Sequence, residues 1–219
     1  MAKILIVVTN HSEIKVGRAT GIWLSEFAEA YAAFESQGYE IVVASPLGGK
    51  APVDPGSVDP HTPNHMLEAQ KHLEYTVALD SVSENQFDAI FLPGGHGTMF
   101  DLPNSTKLQQ LLRQFYENHK TIAAVCHGPA GLVGVNLSNG QPLIAGKRVN
   151  AFTNLEEELT SLGADLPFLL ESKIRELGAI YVAAPNWSSH VEMDGNLITG
   201  QNPQSTVAVA EAVIRKISG

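Results

Sequence analysis

The amino-acid sequence predicts an α/β protein of the doubly wound class, with a mostly parallel sheet sandwiched by helices. Short runs of Ile, Leu and Val, typical of strands buried on both faces, alternate with segments whose apolar residues recur at helical spacing. A strand, a helix and a second strand in this order form a parallel pair. The 219 residues show an even spread of apolar residues, so we expect one domain spanning residues 1–219.

Two β-α-β units make up the first half of the predicted sheet. The first has strands at residues 3–9 and 39–45, around a helix that Gly38 ends. The second has strands at 88–93 and 121–125. The helix of the first unit is marked by Trp23, Phe27, Ala30, Tyr31 and Phe34, and that of the second runs from Leu108 to Tyr116.

The second half of the chain is expected to complete the sheet. Residues 148–153 and 179–184 have the composition of strands, and a helix is predicted at 167–177 between them. Residues 191–199 predict a hairpin about the Asp194-Gly195 turn. A closing helix should begin at Ser205 as its N-cap and bury the stripe Val207, Ala210, Ile214 and Ile217.

Composition excludes several classes of partner. The net charge is −9 and no Lys/Arg cluster is present, which argues against nucleic acid or an anionic membrane surface as partner. The single cysteine excludes an internal disulfide and suits a reducing compartment. No signal-peptide pattern and no run of about 18 apolar residues is present. We therefore expect a soluble, cytoplasmic protein with a small neutral or polar substrate.

Cys126 is the predicted nucleophile. It follows the strand at 121–125 and precedes Gly128-Pro129, a pattern of strand, sharp turn and helix. Its small neighbours leave room for a strained turn that exposes the sulfur, and the N-terminus of the following helix would lower the thiol's pKa. A lone cysteine after an apolar run is often only a small core side chain. However, a core strand is not expected to continue into His127 followed by Gly128 and Pro129, two residues that interrupt regular structure.

Loops from three predicted strands converge on this cysteine. In open parallel sheets ligands bind beyond the carboxyl ends of the strands. Residues 9–21, the glycine-rich loop at Gly95 and the turn at Cys126 all lie there. The backbone N–H groups of Gly95 and His127 are candidates for an oxyanion hole. The segment 48–63, rich in Gly, Pro and Asp, predicts a surface loop near this site.

Glu26 is a candidate proton carrier. It lies on or beside the apolar stripe of its helix, where a carboxylate is misplaced unless it is buried for a purpose. Burial would raise its pKa and let it exchange a proton with the thiol. Helical spacing alone favours the commoner alternative, an exposed helix carboxylate.

Three motifs in order resemble the ThiJ/PfpI superfamily. They are Thr20-Gly21-x-x-x-x-Glu26, Leu-Pro-Gly-Gly95-His96-Gly-Thr and Ala-Val-Cys126-His127-Gly-Pro. The chain is most similar to the branch of glutathione-independent glyoxalases (glyoxalase III) and related heat-shock chaperones, and the resemblance runs from Lys3 to the C-terminus. It implies the flavodoxin-like fold of the class I glutamine amidotransferases, with a nucleophile elbow at Cys126.

The resemblance also implies roles for individual residues. His127 needs an orienting carboxylate to act as a base, and the acidic run Glu156-Glu157-Glu158 supplies candidates. The family pattern selects Glu157 as the third member of a Cys-His-Glu triad, with Glu156 as second choice. It also places Glu26 against the nucleophile, His96 among the substrate-binding residues, and two chains in a homodimer.

Two other constellations are weaker alternatives. His190-Val-Glu192 has the His-x-Glu spacing that amidotransferases use to activate their cysteine, but a hairpin strand already accounts for the segment. His61-x-x-x-His65 has a spacing that a metal could use, yet it lies in a Pro-rich loop without a well-placed third ligand. We expect neither a metal nor a cofactor.

The expected function follows from the resemblance and from the thiol. It is the conversion of methylglyoxal to D-lactate without glutathione, through a hemithioacetal on Cys126. Protein or nucleotide deglycation and amide or peptide hydrolysis would start with the same thiol. Redox sensing through sulfenic acid and action as a holding chaperone are alternatives of other classes.

Overall fold

The computed structural model describes residues 1–219. The strands are β1 (Lys3–Val7), β2 (Glu13–Lys15), β3 (Arg18–Ala19), β4 (Glu40–Ser45), β5 (Val77–Ala78), β6 (Ala89–Leu92), β7 (Thr121–Val125), β8 (Arg148–Val149), β9 (Ile180–Tyr181), β10 (Val191–Asp194) and β11 (Leu197–Gly200). The α-helices are α1 (Leu24–Ser36), α2 (Asn64–Gln70), α3 (Thr98–Asp101), α4 (Thr106–Glu117), α5 (Asn154–Thr160), α6 (Leu170–Glu176) and α7 (Thr206–Ser218).

The central sheet has seven strands in the order β10-β11-β7-β6-β1-β4-β5. Every neighbouring pair is parallel except β10 and β11, which form the predicted antiparallel hairpin. The two turn residues are Gly195 and Asn196, because Asp194 pairs with Leu197. The predicted fold class, a mostly parallel doubly wound sheet between helices, is confirmed.

The core lies on both faces of this sheet because its central strands are apolar at nearly every position. In β6, Ile90 and Leu92 face one cluster, which includes Phe115 of α4. Phe91 faces the opposite cluster and meets Phe34 of α1 edge-on, with ring centroids 5.7 Å apart. Alternation of side chains along a strand produces this division. The helices α1 and α7 therefore cover one face and α4 covers the other.

The closing helix begins where predicted but is rotated. Ser205 precedes α7, yet its hydroxyl bonds to Asn202 rather than capping the helix. Val207 is exposed, and Val209 packs on the sheet instead. The cause is Gly200 of β11, where an added Cβ would lie 2.5 Å from a methyl group of Val209. Because Gly200 has no side chain, Val209 can pack against it, and this contact sets the rotation of α7.

The two later strands were predicted too long and in the wrong sheet. Residues 148–153 and 179–184 contribute only β8 and β9, which pair with each other in a separate two-stranded sheet. Beyond β8, the N–H of Asn150 bonds to the Thr199 hydroxyl and that of Phe152 to the Cys126 carbonyl. These two backbone N–H groups are therefore not available for strand pairing. They tie this segment to the end of β7.

Two segments expected as loops contain some regular structure. Residues 9–21 include the small β2–β3 hairpin. Residues 48–63 are irregular apart from one 3₁₀ turn, and they pack beside the first motif through a bridge between Ile22 and Val53. The side chain of Thr20 also donates to Asp54 at 2.8 Å. No helix has both the length and the apolar character that crossing a membrane requires.

Phe91→Ala tests whether the two-faced sheet carries the stability of the fold. The ring is fully buried between β6 and α1, so its loss should lower the free energy of unfolding by about 3–5 kcal/mol. Urea denaturation followed by circular dichroism measures the change. Tyr75→Ala, at a side chain that is 91% exposed, should stay within about 0.5 kcal/mol of the wild type. Equal effects of the two changes would contradict this account of the core.

Candidate active site

Cys126 occupies a strained turn at the carboxyl end of β7. Its φ is +59°, in the left-handed region, which costs a non-glycine residue about 1–2 kcal/mol. The N–H of Cys126 donates to the Gly200 carbonyl, which anchors the turn to β11. At Gly128 an added Cβ would lie 2.0 Å from the Leu92 carbonyl oxygen, so only glycine allows the chain to pass so close to β6. The predicted nucleophile elbow is therefore the local geometry.

The charge state of the thiol differs from the sequence expectation. Cys126 is buried, with 3% of its surface exposed. Residues 128–132 form only a 3₁₀ turn, which Gly128-Pro129 and Gly131 prevent from extending into the predicted helix. Burial and the carboxyl group of Glu26 raise the pKa of the thiol, and the N–H of His127 only partly offsets this rise. The prediction of a lowered thiol pKa is wrong.

His127 joins the sulfur to a buried carboxylate. Its Nδ1 lies 3.3 Å from Cys126 Sγ, and its Nε2 lies 2.7 Å from Glu157 Oε2. The second carboxylate oxygen, Oε1, contacts His96 Nε2 at 2.8 Å. Glu157 thus bridges two imidazoles whose ring centroids are 4.1 Å apart. The structure brings the four side chains into one continuous chain of hydrogen bonds.

The charges along this chain are set by burial and by mutual contacts. Burial alone would favour the neutral acid, but hydrogen bonds from His127 and His96 hold the pKa of Glu157 well below its usual range. Burial and the neighbouring His96 lower the pKa of His127 to about 4. A neutral imidazole beside a carboxylate places its proton on Nε2. Nδ1 of His127 is then a free acceptor that faces the thiol.

Glu26 approaches the sulfur from α1. The side chain has no exposed surface, and burial raises its pKa to about 8. The N–H of Gly94 donates to Oε2 at 2.7 Å, Oε1 is buried without a hydrogen-bond partner, and the carboxyl group faces the same cavity as Cys126. A carboxyl group in this environment holds its proton at neutral pH. The buried position of Glu26 expected from the sequence is the one observed.

Gly95 and His127, whose backbone N–H groups were predicted as oxyanion donors, both line the space above Cys126. Gly95 has a φ of +99°, and its N–H has no acceptor within the protein. An added Cβ at Gly95 would lie 2.3 Å from the Gly21 carbonyl oxygen, so the loop packs tightly against the first motif. The N–H of His127 lies against the Cys126 sulfur. The N–H of His127 thus lies at the thiol and Gly95 lines the same cavity, while their role as an oxyanion hole stays a prediction.

A small cavity of about 80 Å³ opens above Cys126. This volume is small beside the roughly 300–1,000 Å³ that is typical of ligand pockets, so the cavity suits a small molecule. Its walls are mostly rings with a few converging polar groups, an arrangement typical of ligand sites. They include Trp23, Phe152, Trp187, Pro203 and Thr160 together with Glu26, Gly95, His96, Cys126 and His127.

Five of these wall residues were not predicted as site residues: Trp23, Phe152, Thr160, Trp187 and Pro203. The hydroxyl of Thr160 donates to Glu157 Oε1 at 2.7 Å. Its position three residues after Glu157 on a helix was a usable signal, because such residues share a face. Phe152 stacks at 4.5 Å from the His127 ring and meets Trp187 at 5.6 Å. No local pattern marks Trp187, since it comes from a loop distant in sequence.

Glu156, the second choice for the triad acid, is engaged elsewhere. It completes a capping box at the start of α5, where it exchanges hydrogen bonds with Thr153. Its other oxygen accepts from the N–H of Trp187 and from the side chains of Gln201 and Asn202. It makes no hydrogen bond to His127. Glu156 is fully buried, and of the acidic run only Glu158 is an exposed carboxylate of the first helical turn.

The weaker alternatives lie apart from the thiol. His190 contacts Glu192, and Glu192 also pairs with Arg148, on the far side of β11 from Cys126. His61 and His65 are exposed, and no third ligand accompanies them. The one group of three ligand-type side chains with atoms within 4.8 Å is His96, His127 and Glu157. Their Nε2 and carboxylate atoms already bond to one another.

The fold and the site together define a class of protein: an α/β protein with a cysteine on a nucleophile elbow, at the carboxyl edge of a parallel sheet. The chain belongs to the DJ-1/PfpI family, whose model matches residues 13–216.

Three relatives extend this assignment. "Glyoxalase 3" of Candida albicans is 33% identical over 98% of each chain. A glutathione-independent glyoxalase of Schizosaccharomyces pombe is also 33% identical, over 91% of this chain and 88% of its own length. The crystal structure of glyoxalase III from Candida albicans superposes with a TM-score of 0.89 at 31% identity, covering 98% of this chain and 96% of that chain.

Glu26→Gln tests the burial of a protonated carboxyl group. An ordinary glutamate has a pKa of 4.5, and burial raises that of Glu26 to about 8. Folding therefore takes up a proton between these values, and stability falls as the pH rises through them. Relative to the wild type, the variant should gain about 1.4 kcal/mol of unfolding free energy per pH unit between pH 5 and 8.

Urea denaturation at several pH values measures this difference. Glu35→Gln, which removes an exposed carboxylate from the same helix, is the matched control. A difference between Glu26→Gln and the wild type that does not change with pH would contradict a raised pKa of Glu26.

Proposed function

We propose that the protein is a glutathione-independent glyoxalase that converts methylglyoxal to D-lactate. The observation that carries the proposal is the cavity of about 80 Å³ in which the Cys126 sulfur meets a neutral imidazole and a proton-holding carboxyl group. Relatives of similar length from Candida albicans and Schizosaccharomyces pombe are named as a glyoxalase 3 and a glutathione-independent glyoxalase, and a solved glyoxalase III has the same fold.

The first step is the addition of the thiol to the aldehyde. Cys126 Sγ bonds to C1 while the thiol proton passes to His127 Nδ1, which lies 3.3 Å from the sulfur. The imidazolium formed in this way is stabilised by the Glu157 carboxylate at 2.7 Å. The aldehyde oxygen accepts from the N–H groups of Gly95 and His127 and takes up a proton to give a hemithioacetal.

The second step moves a proton from C1 to C2. A base removes the C1 proton, the electron pair forms an enediol, and a proton added at C2 gives a lactoyl thioester on Cys126. Glu26 and His127 are the two groups that reach this space, and we assign the transfer to them jointly. Because Glu26 has a pKa near 8, it can both release and recover a proton close to neutral pH.

The last step is hydrolysis. Water adds to the thioester carbonyl, the S–C1 bond breaks, and the sulfur recovers its proton. The balance is one methylglyoxal and one water consumed for one lactate released. No electron acceptor or cofactor is needed, because the oxidation at C1 is matched by the reduction at C2. His96 holds the second oxygen of Glu157 and lines the space for the substrate.

The partners follow from the same site. A cavity of this small size favours small reactive carbonyls such as methylglyoxal and glyoxal over peptides or nucleotides. The net charge of −9 supports the absence of a nucleic-acid partner. A homodimer and a cytoplasmic location are part of the proposal, the latter because a free thiol is stable in a reducing compartment.

Loss of methylglyoxal and formation of D-lactate, measured without glutathione, test the proposal. Cys126→Ala removes the nucleophile and should lower kcat/KM by at least about 10³-fold. Glu26→Ala and Glu157→Gln should each lower it by about 10²-fold or more, because each impairs proton transfer. Glu158→Gln is the matched control, since this neighbouring carboxylate is exposed and should leave the rate unchanged.

Two outcomes would contradict the proposal. One is an inactive wild-type protein whose thiol is still alkylated by iodoacetamide, which would leave another thiol chemistry. The other is suppression of aggregation of a client protein by both wild type and Cys126→Ala, without turnover of methylglyoxal, which would identify a holding chaperone.

A further inference from the structure

Trp187 occupies an unusual position at the mouth of the cavity. Its φ of +61° lies in the left-handed region, which bulky residues rarely adopt. Its ring lines the cavity and meets Phe152 at 5.6 Å, while 42% of the residue remains exposed to solvent. A half-exposed tryptophan in a strained conformation persists only where the surrounding structure holds it.

The holding group is the buried carboxylate of Glu156. Its Oε1 accepts from the Trp187 N–H at 2.8 Å and from Asn202 Nδ2, also at 2.8 Å. Its Oε2 accepts from the N–H and the hydroxyl of Thr153. A carboxylate that satisfies several buried donors at once fixes the backbone segment that supplies them.

The segment around Trp187 is held by side-chain hydrogen bonds rather than by a helix or a strand. Residues 184–188 lie between β9 and β10 and belong to no strand or helix. Gln201 exchanges hydrogen bonds with the N–H and the carbonyl of Ala184. Asn202 donates to the Ser188 carbonyl at 2.9 Å. These side chains follow β11 directly, so the segment is clamped to the sheet edge next to Cys126.

We propose that Trp187 is the size filter of the Cys126 cavity and that Glu156 is the residue that positions it. The indole closes the wall beside Phe152, and the hydrogen bond that the backbone N–H of Trp187 donates to Glu156 keeps it there against the strain of its backbone. The filter selects 2-oxoaldehydes whose substituent is no larger than a methyl group or a hydrogen, and it excludes those with a ring. This inference rests on the proposed function for its substrate class.

Access to the thiol tests the filter independently of turnover. Cys126 is the only cysteine, so every alkylation event reports on this cavity. The measured quantity is the ratio of the rate constants for N-phenylmaleimide and for iodoacetamide, followed by intact mass. Trp187→Ala should raise this ratio roughly tenfold or more, and Trp187→Phe should raise it less. Leu155→Ala, at an exposed neighbour of Glu156, is the control and should not change it.

Turnover supplies the second readout. Trp187→Ala should raise kcat/KM for phenylglyoxal relative to that for methylglyoxal by roughly tenfold or more. If the wild type converts neither compound, the proposed function fails. The alkylation ratio then still tests whether Trp187 limits access to Cys126. An unchanged ratio in Trp187→Ala would overturn the role of Trp187.

The positioning role of Glu156 has its own variants. Glu156→Gln turns an amide nitrogen toward groups that are themselves donors, so it should release Trp187 and raise the alkylation ratio in the same direction as Trp187→Ala. Asn202→Ala removes one hydrogen-bonding side chain that holds the same segment, so it should also raise the alkylation ratio, to a smaller extent. This variant replaces Glu156→Gln in the test if Glu156→Gln does not fold. Folded variants with the wild-type ratio would overturn the part assigned to Glu156.

Discussion

The left-handed turn at Cys126 is the constraint on which the rest of the site depends. The turn is bound on one side to β11 through the Gly200 carbonyl, and on the other it passes within van der Waals range of β6 at Gly128. Both contacts require neighbouring parallel strands that end at the same height. The sheet order that places β7 between β6 and β11 is therefore what lets an otherwise unfavourable backbone conformation persist, with His127 next to the sulfur.

Three buried glutamates surround this turn, and their environments differ. Glu26 has one N–H donor and apolar surroundings, so it retains a proton. Glu157 lies between two imidazoles, so it is ionised. Glu156 accepts five hydrogen bonds and serves the architecture. The three glutamates thus have three roles in one site: Glu26 holds a proton, Glu157 is an anion and Glu156 holds a backbone segment in place. The hydrogen-bond donors around a carboxyl group, rather than the residue type, decide whether it is charged.

The sequence predicted what depends on short-range patterns and missed what depends on distant contacts. The bounds of β7 and the elbow at Cys126 follow from apolar runs and turn residues, while the burial of Glu26 was expected from the family resemblance rather than from helical spacing. The rotation of α7 does not, because it is set by the space at Gly200. The raised pKa of the thiol also escaped prediction, since it results from burial by elements far apart in the chain. Trp187 was missed for the same reason, because only the folded chain brings it beside Phe152.

The narrowness of the cavity has a consequence for the chemistry of oxidised sulfur. A space of about 80 Å³ leaves room for a small oxidant, and the chain has no second cysteine to resolve an oxidised one. A sulfenic acid formed on Cys126 would therefore find no disulfide partner within the chain. Its reduction would depend on a thiol from outside that reaches the sulfur past Phe152 and Trp187, in competition with oxidation to the irreversible sulfinic acid. The aromatic wall of the cavity thus bears on the repair of the cysteine as well as on its reactivity.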